Sequence, residues 1–452
     1  MRGLVDRFRA RFGDFWWYSL LLFLATRVGD LINAYIGVWL VPKYVPSEEL
    51  GAVLPLTQFA AMLALPISVF GTTFMKQVNV LAVEGRKGEM KSLLRGVFGT
   101  ALVLALVAAV VARFTMAPVL ERLRIEKGML GLLILATGFL GAVAPVYTNA
   151  LQALKRFREL SWLTVFGAPI RLAVMVVAMP IRALSGYFTG QVSVCLWQIG
   201  CCFFSLRKEL GNEVKAVPYW TRENARTFLR YSGFVALGLI PVVAQFFETL
   251  VIRQRLSTGD SAAYYMISKF AEIGTYAGAS LLAVVFPYVS EKAHSGQSAD
   301  SIVVRTTLVS LGFGVLCAGG FLLVGRCLLS WLPNGSSYVP YVPQLAWLTV
   351  VVSLNAALNC ALAGEVAANR FGYLRWLLPL HVFYIGAIMG ISGYGYFASW
   401  LPVPIVECLV EINRWGLNWL LSAMLGLQLL KAFFVFAPIV RRQLRVSDRA
   451  NI

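Results

Sequence analysis

The sequence predicts an all-α, polytopic membrane protein with about 12 transmembrane helices in two pseudo-symmetric six-helix bundles. Three observations predict it. The 452-residue chain is 58% hydrophobic and 14% charged, with a mean hydropathy of +0.71, a balance that no soluble fold needs. Apolar stretches long enough to cross a bilayer, roughly 20 residues each, follow one another from Trp16 to the neighbourhood of Val440. The pattern Arg-Phe-x-x-Leu-x-Trp occurs at residues 156–162 and again at 370–376, an offset of 214, each time between two apolar spans.

The spans of the first half are expected at 16–41, 50–74, 94–114, 129–152, 160–180 and 184–205. The first leads directly out of a basic, amphipathic segment, Met1 to Phe15, with no short apolar core and small-residue cleavage site ahead of it, so no signal peptide is expected. The second follows the acidic turn Pro46-Ser-Glu-Glu, the third the basic turn Arg86-Lys-Gly-Glu89, and the fifth the first copy of the repeat. The second half gives 231–252, 262–289, 303–329, 341–363, 373–393 and 415–439. Two fainter echoes keep nearly the same offset: Tyr18-Ser19 with Tyr231-Ser232, and Pro46-Ser-Glu-Glu with Thr258-Gly-Asp-Ser. The domains are therefore a six-helix bundle at 1–205, a cytoplasmic linker at 206–230, and a second bundle with a basic cytoplasmic tail at 231–452. Pro55, Pro66, Pro145, Pro169, Pro241, Pro287 and Pro379 fall inside spans, where kinks are expected.

A net charge of +18 in a soluble protein points to nucleic acid, but here the basic residues mark one side of a membrane. Arg2, Arg7, Arg9 and Arg11, then Lys155, Arg156 and Arg158, then the arginines of 207–230, then Arg441, Arg442, Arg445 and Arg449 fall on one side. Both termini are expected in the cytoplasm of a bacterium, with the spans in its inner membrane. One connection, with Arg113, Arg122, Arg124 and Lys127, is basic although it falls outside. The seven cysteines have no ligand-like spacing and read as small buried hydrophobes.

No Gly-rich phosphate loop lies in the longest polar connection, 207–230, which argues against a nucleotide-driven pump. His294 reads as a loop residue and His381 as a packed core residue, so no histidine pair serves metal or acid–base chemistry; no metal and no cofactor is expected. Glu407 and Glu411, one turn apart, are the candidate pair for a membrane enzyme, yet the apolar residues around them suggest an interfacial helix.

Charges within spans cost about 2.5–3.5 kcal/mol each on insertion scales, so those retained face protein or water. Arg27 and Asp30 share one face of the first span, which Asn33 extends. Gln245 and Glu248 share a face one turn below Pro241; Tyr265, Lys269, Glu272 and Tyr276 form a polar stripe in the eighth span. Arg171 has no acid near it in sequence and needs a partner from elsewhere, while Asn355 and Asn359 pair in the tenth span. The plain reading makes Arg27–Asp30 and Lys269–Glu272 pairs that lock helices; the sharper one has Arg27, Asp30, Arg171, Lys269 and Glu272 line a cavity for an anionic head group. Asp30, Glu248 and Glu272 are the candidates for ion coupling.

The first-span exit from Ile36 to Gly51, the turn Arg86-Lys-Gly-Glu89 and the fourth-span exit Leu151-Gln-Ala-Leu-Lys-Arg-Phe157 resemble the polysaccharide flippase branch of the multidrug/oligosaccharidyl-lipid/polysaccharide (MOP) superfamily. The resemblance implies a V-shaped pair of bundles that rock to move a polyprenyl-pyrophosphate-linked oligosaccharide outward, with Arg27, Arg171 and Lys269 as cavity cations, and no enzymatic activity. Its partners would be the lipid-linked glycan, the lipid bilayer, and glycan polymerases or glycosyltransferases, with no nucleic acid. The alternatives are an ion-coupled multidrug exporter and a membrane glycan polymerase or ligase. The peptidoglycan-precursor branch usually carries fourteen spans, against the twelve expected here.

Overall fold

A bilayer offers backbone amides no water, so a chain of this composition satisfies them within helices, and the described residues hold helices and turns and no strand. The computed structural model describes residues 17, 18, 20, 23, 24, 26–122, 129–209, 215–295, 297–332, 335–392, 403–414 and 416–450. The basic amino-terminal arginines, Arg124, Lys127 and the loop ahead of residue 403 lie outside them.

Residues 26–44 form α1, in which a π-helical turn, Ile36–Leu40, precedes Val41–Tyr44. Val53–Val83 is α2, bent by 55° between Val53–Leu65 and Ile67–Val83; Lys87–Arg122 is α3 and Met129–Ala153 is α4. Phe157–Glu209 is continuous by hydrogen bonding, but Arg182 and Ala183 leave helical dihedrals, so it makes two spans, α5 (157–181) and α6 (184–209). The seventh span, α7, joins Arg222–Leu237 to Ile240–Arg255 at a turn just ahead of Pro241, whose missing N–H favours a helix start. In α8, Thr258–Ala271 and Tyr276–His294 flank a 3₁₀ turn, Glu272–Thr275. Asp300–Ser330 is α9, Val342–Ala367 is α10 and Leu374–Ser392 is α11. A short amphipathic helix, Val403–Arg414, precedes α12, which runs from Leu417–Lys431 through a π turn, Ala432–Phe436, into Ala437–Ala450.

Nine helices among the described residues are long and apolar enough to cross a membrane, and the bent α2 makes a tenth. Since Phe157–Arg207 is counted once but holds both α5 and α6, and α1 is described only in part, these correspond to the twelve spans expected. The start of α7 differs from expectation. It begins at Arg222, nine residues before the anticipated 231, capped by the Thr221 hydroxyl, which accepts from the Asn224 amide at 3.2 Å. Its first turns are amphipathic rather than apolar, so hydropathy alone does not find them.

Of the expected linker, residues 206–209 belong to α6 and 222–230 to α7, and residues 215–221 lie against α3, with the Val217 amide donating to the Gly88 carbonyl at 3.1 Å. A glycine at 96 is required there, because a Cβ would stand 2.2 Å from Trp220 Nε1. Across the seam between the two sets of six spans, α2 packs on α7 and α8, and α1 meets α8. Two large apolar clusters, each drawing on both sets, form most of the core, and a third, small one around Leu377 lies within the second set.

The two copies of the repeat end α4 and α10 in the same way. Lys155 (φ 55°) and Asn369 (φ 59°) are the non-glycine residues of positive φ among those described. At the first, the Lys155 and Arg156 amides donate to the Gln152 and Leu151 carbonyls; at the second, the Asn369 and Arg370 amides donate to Val366 and Glu365. Both are Schellman caps in which glycine is the usual left-handed residue, and a lysine there costs on the order of 1 kcal/mol.

Candidate functional site

Polar side chains from α1, α5, α6 and α8 converge at the seam. Arg27 and Asp30, one turn apart on α1, form an ion pair at 2.7 Å and are 21% and 24% exposed. The Arg27 guanidinium lies between the Phe23 and Tyr276 rings, 4.4 and 4.2 Å from their centroids, and donates to the Thr26 hydroxyl at 3.0 Å. Tyr276 belongs to α8, so this cation bridges the seam.

On α8 Lys269, in the last turn of the α-helical segment, pairs with Glu272, three residues on, which opens the 3₁₀ turn. The lysine stem lies on Gly37, where a Cβ would come within 2.9 Å of Lys269 Cδ. Gly37 sits in the π turn of α1, and its carbonyl accepts from the Tyr265 hydroxyl at 3.1 Å. Arg171 reaches from α5 to the Asn33 amide oxygen at 3.1 Å and lies 5.5 Å from the Tyr187 ring centroid. Gln191 donates to the Tyr187 hydroxyl at 3.0 Å. The charges of Arg171 and Lys269 act on each other and on Tyr187, and Glu272 faces Asp30 electrostatically. Arg27, Asp30, Arg171, Lys269 and Glu272 are thus one cluster. Arg27 Nη1 and Arg171 Nε are buried without a hydrogen-bond partner among the described residues; so is Asp30 Oδ2, which the Arg27 guanidinium meets as an ion pair at 2.7 Å, so the two donors are the part of the cluster's capacity that no opposite charge touches.

Glu248 stands apart, inside the second half. It accepts from the Tyr384 hydroxyl at 2.6 Å and feels the charge of Lys431 on α12, which is 1% exposed and donates to the Asn355 amide oxygen at 2.8 Å. His381 is buried, its Nδ1 2.8 Å from the Leu377 carbonyl oxygen, as a packed core residue.

The expectations for His294 and for most of the cysteines change, while Arg171, Glu407 and Glu411 lie as their sequence suggests. Arg171, with no acid near it in sequence, finds Asn33 and Tyr187, both neutral. His294 ends α8 rather than lying in a loop, 3.7 Å from Glu84 of the first half. Of the seven cysteines only Cys202 and Cys360 are buried, and Cys327 and Cys408 are exposed on the protein surface. Glu407 and Glu411 fall on the amphipathic helix Val403–Arg414. Sequence reasoning missed Tyr187, Tyr384 and Lys431 as neighbours of these charges, whereas Tyr276 already stood in the polar stripe of the eighth span. Lys431 had a signal, a lone cation within an apolar span; the two tyrosines had none, being ordinary in spans until a cation is seen against the ring of one and a carboxylate against the hydroxyl of the other.

No family model and no curated sequence matches the chain. Solved structures do. The Vibrio cholerae MATE transporter VcmN aligns over 98% of both chains with a TM-score of 0.69 at 13% identity. The chain has the MATE transporter fold. A MOP superfamily transporter from Pyrococcus furiosus, described by a binding pocket of reverse polarity, aligns over 95% of this chain and 96% of its own, with a TM-score of 0.67 at 14% identity. A multidrug resistance MATE family transporter of the MOP superfamily, in its outward-facing conformation, gives a TM-score of 0.66 at 13% identity over the same shares. At such identities the likeness shows the fold of the chain and nothing finer.

Proposed function

We propose that the protein is an alternating-access transporter of the cytoplasmic membrane that flips an anionic, polyprenyl-pyrophosphate-linked oligosaccharide outward for cell-surface polysaccharide synthesis. The observation that carries this reading is the pair of buried guanidinium donors, Arg27 Nη1 and Arg171 Nε, left without partners at the seam among the described residues. Leaving such donors unmet costs about 1–3 kcal/mol each, and pyrophosphate oxygens answer them with charge-assisted hydrogen bonds. Arg171 adds a charge that no carboxylate offsets by direct contact, because its partners are an amide and a ring. The reverse polarity ascribed to the Pyrococcus furiosus pocket indicates that this fold accommodates cavities of altered charge. On this reading both termini are cytoplasmic, the lipid tail stays in the bilayer, and glycosyltransferases and a polymerase act before and after.

The second reading is an ion-coupled multidrug exporter using Asp30, Glu248 and Glu272. The multidrug neighbour favours it. Against it, Asp30 is paired with Arg27 and Glu272 with Lys269, so two of the three carboxylates already carry a tethered cation, and Arg171 repels a cationic drug.

Cells lacking the protein test the choice. Lipid-linked glycan that accumulates in the cytoplasmic leaflet, shielded from an added glycosidase, supports flipping. Normal glycan export with new sensitivity to hydrophobic cations supports drug export, and accumulation in the outer leaflet points to a polymerase or ligase acting through Glu407 or Glu411.

A further inference from the structure

The residues just ahead of the two copies of the repeat do more than cap helices: each sends a side chain across the seam. Lys155, the left-handed residue ending α4, pairs through Nζ with Glu291 of α8 and lies 4.4 Å from the Tyr288 ring centroid. Asn369, the left-handed residue ending α10, accepts through Oδ1 from Lys76 Nζ of α2, which lies 4.5 Å from the Tyr231 ring centroid. The first half's cap holds the second half, and the second half's cap holds the first, at positions 214 residues apart. Glycine suits both backbone positions better. A side chain retained there at a conformational cost has work beyond closing the helix, and the cross-seam contact is that work. Next to the first cap the seam is tied again by Gln152, which donates to the Ala283 carbonyl, while beside the second the Tyr231 ring under Lys76 is fixed within its own half by its hydroxyl, which donates to the Val366 carbonyl at 2.6 Å. Beside these contacts lies a cavity of about 320 Å³ lined by both halves, with Met75 and Gln152 on one side and Phe286, Asn359, Val366 and Tyr373 on the other.

We propose that Lys155–Glu291 and Lys76–Asn369 are a paired latch, related by the internal repeat, that closes the basic end of the seam over this cavity, and that both must release before the halves part there. The two contacts act in parallel on one motion, so their effects multiply. Each is partly exposed, and a contact of that kind shifts an equilibrium by up to about fivefold. The latch concerns conformation and holds for any cargo, so its failure leaves the anion reading untouched.

The test places a single cysteine in the cavity, Asn359→Cys, in a protein freed of its seven native cysteines, and follows its modification by a charged maleimide in inside-out membrane vesicles. Lys155→Ala and Lys76→Ala are each expected to speed labelling up to about fivefold, and together by about the product. The exchange Lys155→Glu with Glu291→Lys is expected to restore the slow rate, which a merely misfolded variant does not do. Labelling at the original rate in both single variants overturns the latch. So does acceleration by Lys155→Ala that the charge exchange fails to reverse.

Discussion

The rings of Tyr18 and Phe157 meet with centroids 5.1 Å apart, and one repeat later those of Tyr231 and Phe371 meet at 5.3 Å. In each set of six spans, a tyrosine of the first span docks on the phenylalanine at, or just ahead of, the start of the fifth. The weak echo of Tyr18 in Tyr231 and the strong echo of Arg-Phe are thus two sides of one contact, and the repeat is a packing unit. Phe157 is fully buried whereas Phe371 is only partly so. Phe157→Ala should therefore destabilise the protein by about 3–5 kcal/mol and Phe371→Ala by about 1 kcal/mol, read as the fall in thermal unfolding midpoint in detergent. Equal losses at the two positions would show that burial does not set the strength of this contact.

Arg171 has neutral partners, so removing it strands no carboxylate in direct contact. Arg171→Ala should leave the amount of folded protein in the membrane close to wild type while transport falls roughly ten- to hundredfold, the worth of a charged hydrogen bond. Arg171→Lys keeps the charge but loses the planar fork, and should recover only part of the rate. Transport and protein level are both measured in cells carrying each variant.

Glu248 and Lys431 behave as a charge-compensated pair through space, since neither has another opposite charge beside it in the ion pairs of the described residues. Glu248→Gln leaves Lys431 buried without compensation and should cost about 2 kcal/mol or more. Adding Lys431→Met to it should return much of that loss. A double-mutant cycle of thermal stability with no coupling between the positions would refute the pairing.

Gly37→Ala separates position from fold. The new Cβ meets the flexible stem of Lys269 rather than backbone, and alanine in a helix gains about 0.5–1 kcal/mol over glycine. Stability should stay level or rise while transport falls, because Lys269 is pushed from its place beside Glu272. A parallel loss of both would mean that the π turn, not the lysine, suffers.

Much of this was legible in the chain. Span lengths and positions follow from hydropathy because the bilayer imposes one length, and five cluster residues were found because a charge within a span is costly enough to be meaningful. The beginning of α7 escaped because Arg222 to Arg230 is amphipathic. The separation of Glu248 from the other candidates escaped because sequence spacing gives the face of one helix, not which helices share a cavity. Lys155 and Asn369 escaped for a different reason: left-handed caps announce themselves by glycine, and neither position has one.

The most direct measurement is made in proteoliposomes holding a fluorescent polyprenyl-pyrophosphate-linked glycan, whose exposure to an external glycosidase is followed with time. Wild-type protein should bring glycan from the inner leaflet within reach of the enzyme, and Arg171→Ala protein, incorporated equally, should lag far behind it. Wild-type vesicles no faster than empty ones, or an Arg171→Ala rate equal to wild type, would contradict glycan flipping through this cationic seam.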